Sequence, residues 1–400
     1  MPKDITSPFT PGVPVPAEFF VGRLAEIKYL KKEVARAESG RLEVGFLIGE
    51  RGIGKSSLAS FVRSLSERDR RMIGLHAFLG GVTSLEEMVR RIYDRLLKES
   101  LSTPWHEKVK KFFGNHIREV GLFGVSLEFG APFQDLKRLV HDFAPALRNL
   151  LEQVKDEKSG LFIVLDDING LASSLEFTNW LKSLVDEIAT SREPLPLCLL
   201  MVGTEERRQA MIDLQPSLAR YFDLVEIRAW GPQETRDFFK KGFSSVGMTI
   251  DDGATDFLSR FAGGLPMLAQ EIGDAAFVVD TDGQVNQADA VRAVMAAADV
   301  VGRKHLQPQV FHAIRSRQYR MIIRKVAREP FEAVFKRKEV LSRLTETEKK
   351  VFDNFLQRMR RLGVICPDPE QGMGVYRFSH LLHYFYFWME AERAKEKSEP

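Results

Sequence analysis

Eight consecutive residues, Gly49, Glu50, Arg51, Gly52, Ile53, Gly54, Lys55 and Ser56, carry the spacing G-x-x-x-x-G-K-S. Glycines so spaced let a backbone fold around an anion with its N–H groups pointing inward. The apolar run EVGFLI, residues 43–48, precedes them, and SLASFVRSL follows with helical spacing. The loop therefore joins a strand to a helix whose positive end faces the same anion. The chemistry is phosphate binding. Lys55 reaches the β- and γ-phosphates of a nucleoside triphosphate, Ser56 offers a hydroxyl to Mg²⁺, and Ser57 completes the cradle.

A second apolar run, LFIVLDD at 161–167, ends in two carboxylates. Adjacent acids are costly at the end of a buried strand unless a cation or proton lies between them. Asp166 is the expected Mg²⁺ partner, mostly through water, and Asp167 is placed to polarise an attacking water. The competing reading of Asp167 is a cap on the next helix. A third run, LPLCLLMVG at 195–203, is followed by Thr204, a polar residue where a parallel sheet opens onto its ligand crevice. Thr204 there meets the γ-phosphate or its water, or simply caps a helix. No guanine-reading N-K-x-D or T-K-x-D follows the loop, so ATP is favoured over GTP.

Such strands, apolar on both faces, imply a parallel sheet buried under helices on both sides: an α/β P-loop NTPase. We expect a core over 1–230 with an insertion at about 100–145, a helical lid over 231–305 and a basic, winged-helix-like domain over 306–400. Within the insertion, HIREVGLFGVSLEFG at 116–130 alternates apolar and polar residues, with glycines at 121 and 124, and reads as a hairpin that packs or meets a neighbouring subunit.

The chain resembles AAA+-related ATPases of the clade that holds archaeal ATPases, STAND switch ATPases and origin-recognition-like initiators. The residues that carry the likeness are Phe20 to Arg23 in PFTPGVPVPAEFFVGRLAEI, the phosphate loop, the Asp166–Asp167 strand, the polar end of the following strand, and GGLP at 263–266. The resemblance implies that Val21, Gly22 and Arg23 lie near the adenine and that Pro266 approaches the base. LQPSLARYFDLVEI at 214–227 is similar to the stretch that sends an arginine to a neighbour's γ-phosphate, which makes Arg220 the expected finger, with Arg207 and Arg208 in reserve. An ordinary surface arginine is the alternative. The chain departs from AAA+ motors in having Asp-Asp rather than Asp-Glu, and no arginine at Gly264 to Met267 of the lid. Both departures predict slow hydrolysis, that of a switch rather than a motor.

The C-terminal part reads as helices at about 309–327, 331–342 and from Thr345 to Gly363, followed by a hairpin, VICPDPEQGMGVYRFS. Three helices and a hairpin suggest a winged helix whose third helix offers Lys349, Lys350, Arg358, Arg360 and Arg361 to duplex DNA. Apolar positions 351, 352, 355, 356, 359 and 362 form the core face. The closing helix, rich in aromatic residues, packs under the wing, and His380 and His383 are expected to be buried or capping rather than metal ligands.

Composition narrows the rest. Basic and acidic side chains nearly balance at 58 against 55, yet Arg303 to Arg361 holds 17 Lys or Arg and 6 Asp or Glu. That excess of +11 leaves −8 for the remainder, which points to a polyanionic partner for one region, or to solvated basic faces. Only Cys198 and Cys366 occur, giving no disulfide framework or thiol metal cluster. No apolar run or leader marks a membrane or secreted protein, so a cytoplasmic place is expected. The expected function is an ATP-switched, DNA-binding or DNA-remodelling ATPase that assembles as a homo-oligomer. The alternative is a STAND-like scaffold acting on a protein partner. A metabolic enzyme lacks a second catalytic constellation.

Overall fold

The computed structural model describes residues 6–14, 20–120, 126–312, 314, 316–327 and 333–396. The chain forms two compact units, Pro14–Arg228, and Met1–Val13 with Ala229–Pro400.

In the first unit the elements run α1 (Leu24–Glu38), β1 (Leu42–Ile48), α2 (Lys55–Arg70), β2 (Met72–Phe78), α3 (Leu85–Ser100), α4 (His106–Phe113), β3 (Ile117–Val120), β4 (Ser126–Phe129), α5 (Phe133–His141), α6 (Phe143–Gln153), β5 (Gly160–Asp166), α7 (Leu175–Thr190), β6 (Leu197–Gly203), α8 (Glu205–Leu214) and β7 (Asp223–Glu226). The main sheet has the order β2-β5-β6-β1-β7, with every neighbouring pair parallel. Parallel strands need crossovers, and the intervening helices cover both faces. Each residue of β5 and β6 is buried, as their unbroken apolar runs require. The expected P-loop NTPase sheet is thus present.

The hairpin expected at 116–130 is the antiparallel pair β3–β4, in register from Ile117↔Phe129 to Val120↔Ser126. Gly121 and Gly124 lie outside the described residues. Phe129 is buried, its ring 5.4 Å from Tyr93 and 4.9 Å from Phe113, and its N–H donates to Asp94 Oδ1 at 3.2 Å. The ribbon therefore packs on α3.

The second unit continues with α9 (Pro232–Ser245), β8 (Thr249–Ile250), α10 (Asp252–Ala262), α11 (Pro266–Val279), β9 (Gln284–Val285), α12 (Gln287–Val301), α13 (Arg317–Val326), β10 (Val334–Lys336), α14 (Arg337–Leu341), α15 (Glu346–Lys349), α16 (Phe352–Arg361), β11 (Ile365–Pro367), β12 (Val375–Phe378) and α17 (Leu381–Glu396). Phe9 belongs to this unit. It is 3% exposed, with rings of Phe238, Phe239 and Phe243 at 5.5, 6.3 and 5.0 Å. A Cβ on Gly242 or Gly273 would stand 2.6 Å from its ring, so both helices are glycine where Phe9 enters. The Thr10 N–H donates to Gln270 Oε1 at 2.7 Å and fixes the segment to α11.

The C-terminal elements differ from expectation in three places. The helix expected over about 309–327 is interrupted, since a π-helix, Gly302–Phe311, ends near its start and α13 begins only at Arg317. Instead of a helix over 331–342, β10 occupies 334–336 and only α14 is helical. Val334 and Phe335 find partners that local periodicity cannot show: β10 pairs antiparallel with β12, and Phe335 stacks on Tyr376 at 5.7 Å. The third helix is divided into α15 and α16 at Lys350–Val351, although its capping box forms, with Thr345 N–H to Glu348 Oε2 at 2.8 Å and Glu348 N–H to Thr345 Oγ1 at 3.4 Å. Phe352, Phe355, Leu356 and Met359 are buried as expected. The three-stranded sheet β10-β12-β11 behind α13 to α16 is compatible with a winged helix. Helix α17 meets the wing through Tyr384 and Phe387, 5.0 and 6.1 Å from Phe378. It also meets α10, with Phe385 5.6 Å from Phe261. Burial, then the neighbouring His380 and His305, drives the His383 imidazole down to about 3, so it stays neutral, as a core histidine should.

Candidate nucleotide site

At the carboxyl edge of the main sheet, Gly49 leaves β1 and Gly54 turns the chain into α2 with φ 93°. A side chain at Gly49 is excluded by the Ile227 carbonyl, 2.7 Å from where its Cβ would stand. Neither a side-chain cap nor a first-turn acid serves the α2 N-terminus. A 16-residue helix thus presents its positive end uncompensated, the electrostatic condition for an anion. Lys55 Nζ donates to the carbonyls of Gly49 and Glu50, both at 2.8 Å, and so spans the loop it belongs to. Burial holds its ammonium below the usual lysine range, against the opposing pull of Asp166, Asp167 and Glu50. Ser56 and Ser57 follow in the first turn of α2.

The Phe20–Arg23 segment is tied to this loop. Phe20 stacks on Phe61 of α2 at 4.6 Å. Val21 and Gly22 lead into Arg23, which is 6% exposed, has φ 62° and caps α1 by position. Its Nη2 donates to the Ile53 carbonyl at 3.2 Å. Arg23 therefore braces the phosphate loop, a role that its expected place beside adenine did not include.

Asp166 is the last residue of β5 and is 4% exposed. Its Oδ2 lies 2.9 Å from Nε2 of His76, itself 3% exposed in the middle of β2. A carboxylate only accepts, so the imidazole donates through Nε2. Asp167 is exposed, adopts φ 57° and accepts a hydrogen bond from Asn169 Nδ2. The cap reading of Asp167 does not hold, because the following helix, α7, starts at Leu175 and is capped by Ser174. A Cβ on Gly80 would come 2.8 Å from Asp167 Oδ2, so the chain after β2 is glycine where this carboxylate passes. Ser56 and Asp166 offer hydroxyl and carboxylate oxygens, the hard donor set that suits Mg²⁺.

Thr204 follows β6, which lies next to β1, and is the residue from which α8 starts. A hydrogen bond from Thr204 holds the Glu206 carboxyl below its usual range. Arg220 ends a short 3₁₀ turn, Pro216–Arg220, directly before β7, is exposed and forms no ion pair among the described residues. Its reserves are engaged, Arg207 with Ser173 and Arg208 with Glu205. Pro266 is buried at the start of α11 in the second unit. Of the expected DNA contacts, Lys350, Arg358, Arg360 and Arg361 are exposed and without an ion pair among the described residues, while Lys349 is held by Glu346 at 2.7 Å. His76 and Asn169 escaped the sequence reading. A lone histidine inside MIGLHAF and an asparagine after two acids carry no pattern until β2 and β5 are paired.

Residues 20–200 match the family described as AAA ATPase domain. Among solved structures the chain is similar to the Walker-type ATPase of Pyrococcus abyssi, with 16% identity and a TM-score of 0.55, over 92% of this chain and 96% of that one. It is likewise similar to the ORC2 protein of Aeropyrum pernix, solved as ADPNP-ADP complexes, with 15% identity and a TM-score of 0.56, over 99% of this chain and 97% of that one. At such identities the likeness is one of fold. No curated protein matches the chain.

Proposed function

We propose, from the premise that this chain carries an AAA ATPase domain over residues 20–200, that it is a slow Mg-ATP switch whose nucleotide state controls duplex DNA binding through α16. The observation that carries the nucleotide half is the uncapped N-terminus of α2, with Lys55 close enough to Asp166 and Asp167 to feel both charges.

In this reading the amides of Gly49 to Ser56 and the Lys55 ammonium hold the phosphates, and Ser56 and Asp166 hold Mg²⁺. The metal, when bound, neutralises phosphate charge that builds as the γ-phosphoryl leaves. Asp167 accepts a proton from, or orients, the attacking water. Its reach is a methylene shorter than that of a glutamate, which supports slow turnover. Thr204 meets the same water through its hydroxyl oxygen, and Arg220 completes the site of a second copy in a homo-oligomer. Val21, Gly22 and Arg23 serve the base side. Ser57, Glu50, Arg51, Gly52 and Ile53 shape the loop.

The DNA half is supported by four exposed cations on α16 and the turn before it, without an ion pair among the described residues, in the segment with a +11 excess. Neutralising about four phosphates predicts a slope of log K on log salt of roughly −3.6. Labelled duplex DNA titrated at several salt concentrations, with ATP, ADP or neither, tests this. Salt-steep binding that depends on ATP and vanishes in Lys55→Ala is the expected result. Absence of binding in every nucleotide state sinks the DNA reading and favours a protein partner for the same basic surface. Among the described residues, no helix is long and apolar enough to cross a membrane.

A further inference from the structure

The pairing of β2 with β5 places a histidine against the carboxylate on which the magnesium reading depends. Met72↔Gly160 through Phe78↔Asp166 sets the register, and His76, two residues before Phe78, shares that residue's face of the sheet. The imidazole has little freedom. It is almost wholly buried and stacks on Phe78 with ring centres 4.3 Å apart and planes 17° apart. The chain beyond β2 is also fixed to β5, since the Leu79 N–H donates to the Asp166 carbonyl at 2.7 Å. Arg91 of α3 anchors the same strand end through the Phe78 carbonyl at 2.7 Å.

We propose that His76 is a positioning residue for the metal-binding carboxylate: its Nε2–H fixes Oδ2 of Asp166 and leaves Oδ1 to serve the cation's water. A carboxylate on a free rotor presents either oxygen in many orientations. One donor on one oxygen selects the rotamer, and the partner behind a ligand commonly sets metal affinity by about 10- to 100-fold. Asp166 is nearly inaccessible, so few other donors reach it, and a buried carboxylate without a donor is costly. This inference rests on the reading of Asp166 as a magnesium carboxylate.

The experiment measures binding of a fluorescent ATP analogue to the full chain as Mg²⁺ is titrated, and again in excess EDTA, with Mn²⁺ resonance as a direct count of bound metal. His76→Gln keeps an N–H near the position of Nε2, whereas His76→Asn carries the same amide too short to reach Asp166. Thermal melting confirms that each variant is folded, and the Gln/Asn comparison stands even if His76→Ala does not fold. The expected result is a 10- to 100-fold rise in the Mg²⁺ needed for half-saturation in His76→Asn and His76→Ala, near-wild-type behaviour in His76→Gln, and metal-free analogue affinity unchanged within about twofold. Unchanged metal dependence in folded His76→Asn, or an equal loss with and without metal, overturns the proposal. Asp166→Asn separates the two levels. If it shifts metal dependence and His76→Asn does not, only the positioning role falls. If neither shifts, the magnesium reading of Asp166 falls and takes the positioning role with it.

Discussion

Single side chains in this protein are set by charge placed in or near the core. The clearest case lies at the amino end of the main sheet, away from the phosphate loop. Glu33 of α1, Glu43 of β1 and Asp223 of β7 converge on Arg36, whose Nη2 is 2.7, 2.8 and 3.3 Å from their respective oxygens. One guanidinium cannot neutralise three carboxylates. Burial first, then hydrogen bonding and repulsion from Asp223 and Glu43, pushes the Glu33 carboxyl up to about 8. Burial first, then the same charges, raises the Cys198 thiol, and Tyr29 is raised by burial and by Glu33 and Asp223. Because the folded Glu33 value lies above the usual 4.5, its contribution to stability is complete below about 4.5 and is lost as pH rises through about 8. Melting temperature measured from pH 6 to 9 should therefore fall, and Glu33→Gln should flatten the fall. A Glu33→Gln melt that keeps the full slope would assign it elsewhere. None of this was legible in sequence, since the four residues come from three elements and meet only when the sheet closes. The phosphate loop was legible because its chemistry is contiguous, and Asp166 because a strand that ends in acids is unusual on its own.

Elements show the same division between local and nonlocal information. Strands β1, β5 and β6 were readable as unbroken apolar runs, and the capping box at Thr345 marked the start of α15. The stretch that holds β10 was misread because its partner β12 lies some forty residues on. Where α16 was read correctly, its exposed face makes a prediction of its own. Arg358→Ala should weaken DNA binding uniformly across sequences and reduce the salt slope by about 1, the mark of a phosphate contact. A change confined to one DNA sequence would point to base reading instead. Arg220 ends the turn before β7 and is exposed. On the proposed finger role, Arg220→Ala should lower turnover by about 10³-fold or more and remove its dependence on protein concentration. Turnover that is unchanged leaves Arg220 an ordinary surface residue.

At the scale of the whole molecule, the segment around Phe9 belongs to the second unit although it precedes the first in sequence. Deleting its ring leaves a cavity among Phe238, Phe239 and Phe243, and Phe9→Ala should cost about 3–5 kcal/mol in denaturant unfolding of the second unit. A loss below about 1 kcal/mol would show that the segment detaches freely. The chain leaves that unit after Val13, builds the entire ATPase core and re-enters at Ala229. The core is thus an inserted loop whose two ends are both held by one foundation. A tensile load applied between Ser7 and Glu396 runs through the second unit alone until Phe9 is pulled from its aromatic socket. The stretch from Pro14 to Arg228 is mechanically shunted, and it feels no pull while Phe9 and the Thr10–Gln270 hydrogen bond hold.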